Sequence, residues 1–263
     1  MHTMYDWQKN AYDEWEKNDY VGIIEAVTGA GKTLVAHYAM IYHLNLGYDI
    51  LIIVPNIELQ RQWYNDIRKL KDPAGNYIKN KYKIKLLGGG NKENIAGWKI
   101  IIAVVNSAIK HKIIPKQNKG LLIADECHHY GAPRFKDVLK TLYNRRLGLT
   151  ATFQREDDGI ENYLTPYFNN ICYSLSYRQA LDESVIAHFK IAFVGVDLSK
   201  IERVNYNEYQ DKCTNLKKKL FQNGVNEKNF GEFMRQVSIL SKKVGFLSDL
   251  ARTYLREPLK TPS

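Results

Sequence analysis

Five apolar stretches that lack the polar alternation of a half-exposed strand constrain this chain more than any other feature. They are Val21-Gly22-Ile23-Ile24, Asp49 to Val54, Lys99 to Val105, Leu121 to Ala124 and the shorter Leu147 to Leu149. A strand wetted on one face alternates. A strand that does not is covered on both faces, as in parallel sheets sandwiched between helices. Helical periodicity follows the first two runs, over Thr33 to Leu46 and Glu58 to Leu70, and Pro55 closes the second run. Strand and helix therefore alternate, and residues 1–181 are expected to form a doubly wound α/β domain with helices on both faces of a parallel sheet.

The remaining segments read differently. Lys71 to Asn94 is rich in Lys, Asn, Gly and Tyr, with a short strand expected at Lys83 to Leu87 and a turn at Gly88-Gly89-Gly90. It is either a loop that faces nucleic acid or a solvated surface insertion. Beyond Asp182, His188 to Leu198 has the pattern of another strand. Asn205 to Phe221 and Phe230 to Arg256 are helical and basic, with Lys217-Lys218-Lys219 and Lys242-Lys243. Such charge runs are ordinarily the wet face of a helix. Residues 182–263 are read as a separate, connecting segment.

The densest chemistry lies at Ala26-Val27-Thr28-Gly29-Ala30-Gly31-Lys32-Thr33, between an apolar strand and a helix. It fits the phosphate-binding loop, with Ala26 where the first glycine usually stands. Small residues let successive backbone N–H groups curl around an anion, and the following helix adds the positive end of its dipole. In such a loop Lys32 reaches the outer phosphates of ATP and the Thr33 hydroxyl ligates Mg²⁺. Thr28, Gly29, Ala30 and Gly31 supply the cradle. A chance Gly-rich turn is the alternative, and the strand before and helix after argue against it.

A nucleotide-hydrolysing site also needs carboxylates at the end of a neighbouring strand. Leu121 to Ala124 runs straight into Asp125-Glu126-Cys127-His128. Asp125 is placed to hold Mg²⁺ through water, and Glu126 to orient the attacking water as base. An acidic pair closing a strand is otherwise mere loop solvation. Zinc at Cys127, His128 and His129 is disfavoured, because adjacent residues diverge and no second Cys/His pair lies nearby.

Charge agrees with a polyanionic partner. Lys plus Arg is 38 against 28 Asp plus Glu, a formal net charge of +10. Basic side chains that neutralise phosphates release condensed counterions, although excess base also occurs on proteins that touch no nucleic acid. Three widely spaced cysteines, Cys127, Cys172 and Cys213, do not form a disulfide framework. No signal peptide and no apolar run of roughly 18 residues is evident. A soluble protein is expected, cytoplasmic, or nuclear in a eukaryote, with no membrane partner.

Taken together, these residues resemble superfamily two helicases of the DEAD/DEAH type, in particular the XPB-like and type I/III restriction-translocase branch, over about Tyr5 to Leu198. Gln8, in Asp6-Trp7-Gln8-Lys9, looks like that family's adenine-reading glutamine. Val54-Pro55-Asn56, with Leu59 and Gln62-Trp63, resembles the segment that grips one nucleic-acid strand. Gly88-Gly89-Gly90-Asn91-Lys92 is also similar to this branch. Asp125-Glu126-Cys127-His128 is a DEAH-type box with Cys in the third position. Gly148-Leu149-Thr150-Ala151-Thr152 resembles the motif that couples hydrolysis to strand movement, so His128, Thr150 and Thr152 are the expected coupling residues. Arg155 and Asp157 match the usual trailing sequence. Phe153 stands where the branch has Pro. Val104-Val105-Asn106-Ser107 lacks the usual opening Thr, leaving Ser107 as the strand-contact candidate.

The resemblance implies a RecA-like P-loop domain that binds ATP and Mg²⁺. It implies an ATP-dependent motor on nucleic acid, DNA in preference to RNA, whose nucleotide is clamped between two such lobes. No second-lobe motif follows before Ser263, so the chain is expected to be a first lobe with the start of a crossing into a missing partner lobe. Weak hydrolysis alone is the corresponding expectation. A nucleotide-dependent docking module with little turnover, or the motor subunit of a restriction enzyme, is the alternative.

Overall fold

The computed structural model describes residues 3–92, 96–111, 113–140, 143–155, 157–188, 192, 194–225, 230–241, 249 and 251–253. Contacts divide the chain into two units, Met1–Phe189 and Lys190–Ser263.

The first unit is built on one sheet. Its strands are β1 (Val21–Ala26), β2 (Asp49–Val54), β3 (Ile84–Gly88), β4 (Asn91–Lys92), β5 (Ile100–Val104), β6 (Gly120–Asp125), β7 (Arg145–Thr150) and β8 (Ile171–Leu175). They lie in the order β4-β3-β5-β2-β6-β7-β1-β8. Every neighbouring pair is parallel except β3 and β4. The helices are α1 (Asp6–Lys17), α2 (Lys32–Asn45), α3 (Ile57–Lys69), α4 (Ile78–Lys81), α5 (Val105–Lys110), α6 (Thr165–Phe168) and α7 (Tyr177–Asp182).

Burial explains the unalternated runs. Every residue of β2, β5 and β6 is buried. One face of the sheet packs Ile50, Ile52, Ile102 and Ile123 against Trp7 and Trp15 of α1, Val35 and Met40 of α2, and Trp63 and Ile67 of α3. The other packs Leu51, Ile53, Ile101 and Leu122 against Val105 and Ala108 of α5, Tyr130 and Phe168. Each such aliphatic side chain contributes roughly 1.5–3 kcal/mol relative to exposure. Asp49, buried at the start of β2, is compensated: the Lys99 ammonium lies 2.8 Å from one oxygen and the Lys116 N–H donates to the other at 2.8 Å.

The sequence expectations hold for the sheet and its covering helices. The edge strand β8 was not anticipated. The first unit also extends past residue 181, with Val185 and Ile186 packed on its core. Of the expected strand His188 to Leu198, Phe189, Lys190, Ile191 and Phe193 lie outside the described residues; the others carry no strand pairing, and Val194 and Val196 are 81% and 83% exposed. A strand needs a neighbour for its N–H and C=O groups, and among the described residues none pairs with this segment.

The second unit contains α8 (Lys200–Gln222) and α9 (Phe230–Ser241), with a small core of Leu220, Val225, Phe233, Val237 and Ala251. Lys218 and Lys219 are exposed on α8, as expected of a wet helix face, but Lys217 is half-buried over the Phe221 and Phe233 rings at 5.4 and 5.3 Å; Lys242-Lys243 and Arg256 lie outside the described residues. Among the described residues no helix is long and apolar enough to cross a membrane.

Candidate functional site

A parallel sheet sends the C-terminal ends of its strands to one edge, where ligands of such folds bind. Ala26, Val54, Gly88, Val104, Asp125 and Thr150 are the last residues of six parallel strands. The motif residues follow directly on these ends, so the topology alone gathers them.

At the end of β1 the chain turns through Gly29 and Gly31, at φ +85° and +92°, and enters α2 with Gly31 as its N-cap. A Cβ on Gly31 would stand 2.8 Å from Gln8 Nε2. That amide donates to the Gly31 carbonyl at 3.0 Å and lies 3.5 Å from that of Ala30, while Gln8 Oε1 accepts from Tyr5 N–H at 2.9 Å. Gln8 is therefore a buried brace beneath the loop rather than an exposed helix residue. Thr28 and Gly29 are exposed and Thr33 half-buried at the mouth of the turn. The Lys32 ammonium donates to the Ala26 carbonyl at 2.6 Å, with that of Val27 at 3.4 Å. Burial lowers the pKa of Lys32, and the charges of Glu126 and then Asp125 push it back up. Cation and acidic pair are thus electrostatically coupled at one edge of the sheet.

Asp125 closes β6 and is 8% exposed. Its two oxygens have separate donors: Oδ2 accepts from the Trp63 indole at 2.8 Å and Oδ1 from the Glu126 N–H at 3.1 Å. Burial raises its carboxyl above the ordinary range, and the Trp63 bond works against that rise. The Tyr130 hydroxyl, fully buried, sits 2.7 Å from the Asp125 carbonyl and 3.1 Å from that of Ile53, tying β6 to β2. Glu126 has φ +48° and ψ +50°, a left-handed conformation that costs a non-glycine residue about 1–3 kcal/mol. The chain turns out of the sheet there, leaving the carboxylate half-exposed.

His128 and the β7 end are joined. His128 Nδ1 lies 2.8 Å from Thr150 Oγ1, whose hydroxyl donates onward to the Thr152 carbonyl at 2.7 Å. Because that hydroxyl proton is committed, Nδ1 carries the proton of the first bond. Burial, then the neighbouring His129 and Arg155, lower the His128 pKa to about 4. Its 3.4 Å approach to Glu126 is therefore not an ion pair at neutral pH. Arg155 donates to the His128 carbonyl at 2.5 Å and grips Asp157 with two 2.7 Å bonds. Beside it, Gly159 meets Gly131 backbone to backbone; a Cβ on Gly159 would overlap the Gly131 carbonyl oxygen.

The strand-contact candidates form a neighbouring rim. Asn56 caps α3, its side chain accepting from Leu59 N–H at 2.9 Å. Pro55 is half-buried before it and Gln62 is exposed on the helix. Gly88 packs against Ser107 and Val104, and Gly89 against Ile57. Buried Gln60 donates to the Leu87 and Ile102 carbonyls at 3.0 and 2.8 Å, bracing the turn from α3.

Residues 1–155 match the family model described as "Type III restriction enzyme, res subunit". The chain belongs to this family. The chain is also similar to the "DNA 3'-5' translocase XPB2" of Sulfurisphaera tokodaii, with 30% identity over 90% of the chain and 49% of that protein. It is likewise 30% identical to the "DNA 3'-5' helicase XPB" of Mycobacterium tuberculosis, over 76% of the chain and 36% of the relative. The chain thus spans about half, or less, of the curated relatives it matches. Its fold resembles the Pyrococcus furiosus Hef helicase domain, with TM-score 0.55, 19% identity, and 95% of this chain and 58% of that one covered.

The residues present suit a Mg²⁺-nucleotide. A small-residue cradle, a loop cation, a hydroxyl and a nearby carboxylate match an ion that keeps several waters and relies on substrate phosphates. Sequence reasoning missed the second layer. Trp63 lies in the segment that resembles a strand-gripping motif, yet its indole N–H faces Asp125. Glu25, with oxygens accepting from Phe153 N–H at 2.9 Å and the Ser174 hydroxyl at 3.0 Å, was not singled out. A glutamate inside an otherwise apolar strand was the available signal.

Proposed function

We propose that this chain is the ATP-binding lobe of an ATP-dependent DNA helicase or translocase. The observation that carries the reading is that the Lys32 loop leaves the C-terminal end of β1 while Asp125 and Glu126 leave that of β6 on the same sheet edge, both carboxylates opposing the lowering of the Lys32 pKa. In this reading Gly29 to Gly31 and the first turn of α2 wrap the phosphates, and Lys32 leaves the Ala26 carbonyl to hold the outer ones. Thr33, with Asp125 through water, would hold Mg²⁺, which would neutralise charge building on the transferred phosphoryl group. Glu126 takes the proton of the attacking water. Gln8 keeps the loop in shape, and its amide would have to leave the Gly31 carbonyl or the Tyr5 N–H to read the nucleotide base. His128, Thr150 and Thr152 pass the state of the phosphates to the β7 end. Pro55, Asn56, Gln62 and Ser107 hold one DNA strand by its backbone.

The relatives' names favour DNA over RNA, and the restriction-subunit family leaves open a motor that feeds a nuclease. An arginine from a second lobe would complete charge stabilisation, worth about a thousandfold or more in rate, so this chain alone hydrolyses ATP slowly.

The test is a DNA-stimulated ATPase and nucleotide-binding series. Lys32→Ala should lose nucleotide binding. Glu126→Gln should retain it while turnover falls about 10²- to 10⁴-fold. Parent-like turnover in either variant would overturn the site, and full motor speed from this chain alone would overturn the need for a second lobe.

A further inference from the structure

Trp63 is 1% exposed in the middle of α3, between the sheet and α2. An indole has one hydrogen-bond donor and no acceptor, and here that donor goes to a carboxylate oxygen at 2.8 Å. Asp125 is mostly buried, so the bond is shielded from water. Charge-assisted bonds of this kind are roughly twice as strong as neutral ones. With Oδ1 held by Glu126 N–H, the two donors set the plane of the carboxylate. The indole is itself fixed: His37 of α2, one turn beyond Thr33, meets it edge-on with ring centroids 5.3 Å apart. Trp63 thus touches the helix that begins at the phosphate loop and the acid that would hold the metal, while it rides on the helix capped by Asn56.

We propose that Trp63 is a positioning residue of the metal site, its indole N–H holding Asp125 in the orientation that binds Mg²⁺ and making that orientation depend on the placement of α3. The proposal rests on the nucleotide-site reading above. Groups that orient a metal ligand typically change metal affinity about 10- to 100-fold when removed. A purely structural Trp would alter stability without selective metal dependence.

The experiment measures binding of a fluorescent, non-hydrolysable ATP analogue to the full chain, in EDTA and across a Mg²⁺ titration, for the parent, Trp63→Phe and Asp125→Asn. Trp63→Phe keeps the ring and removes the donor. It should raise the Mg²⁺ concentration for half-maximal binding about tenfold or more, with metal-free binding unchanged. An unchanged Mg²⁺ midpoint, or equal weakening with and without metal, overturns the proposal. If Asp125→Asn shifts the midpoint and Trp63→Phe does not, the inference about Trp63 alone fails. If neither shifts it, the metal-site reading fails with it. Should Trp63→Phe not fold, parent chain labelled with ¹⁵N-indole tryptophan supplies the readout. One indole resonance should move in Asp125→Ala, and the same resonance should move when Mg²⁺-nucleotide is added to the parent. Four resonances indifferent to Asp125→Ala sink the idea.

Discussion

At Gly31 two demands meet in one residue. Its φ of +92° is cheap only without a Cβ, and the Cβ position is occupied by Gln8 Nε2 at 2.8 Å. The strain of the backbone and the displacement of Gln8 are separable. Gly31→Ala is expected to cost about 1–3 kcal/mol and to weaken nucleotide binding, as measured by denaturant unfolding and ligand titration. Adding Gln8→Ala should relieve the collision but not the strained φ. Full recovery of stability in the double variant would show that backbone strain is not the cause. Glu126 departs from this rule. It accepts a left-handed backbone with a full side chain where the chain turns sharply as it leaves β6, and its carboxylate comes within 3.4 Å of His128 Nδ1.

At the scale of elements, α3 links rim and pocket. Asn56 caps it, Gln60 braces the β3 turn, and Trp63 reaches Asp125. Asn56→Ala removes the cap and should cost about 1 kcal/mol, lowering the melting midpoint of the first unit by roughly 2–4 °C. An unchanged calorimetric midpoint would contradict the capping role. The same elements show what a sequence discloses. Strands β2, β5 and β6 were legible because burial on both faces leaves an unbroken apolar run. The phosphate loop was legible because its function demands small residues in a fixed local order. Strand β8 was not: at the sheet edge it is half wet, and its polar and apolar residues carry no clean period. His188 to Leu198 is apolar enough to read as a strand, yet its described residues, Val194 and Val196 among them, are exposed and lack a strand partner among the described residues. Trp63 and Asp125 are 62 positions apart, and only the fold pairs them.

For the whole molecule, buried histidines set the response to acid. Burial lowers His37 and His43 to a pKa of about 4, and His128 is lowered to about 4 as well. In the unfolded chain they return to about 6.5. Between those values the unfolded state binds protons that the folded state refuses, so stability falls as pH falls from 6.5 towards 4 and is indifferent to these groups above 7. Asp125, with its raised carboxyl, pulls the other way, one group against three. Melting midpoints at pH 7.5, 6 and 5 should therefore descend; a flat or rising series would refute the assignment.

The contact between Gly131 and Gly159 carries a mechanical consequence. Where two loops are separated by side chains, rotamers absorb small displacements. Here bare main chain rests on bare main chain, with Arg155 clamped alongside. Such a joint leaves no side chain to absorb a displacement of one segment against the other. A single methyl group on either glycine would force the two backbones apart.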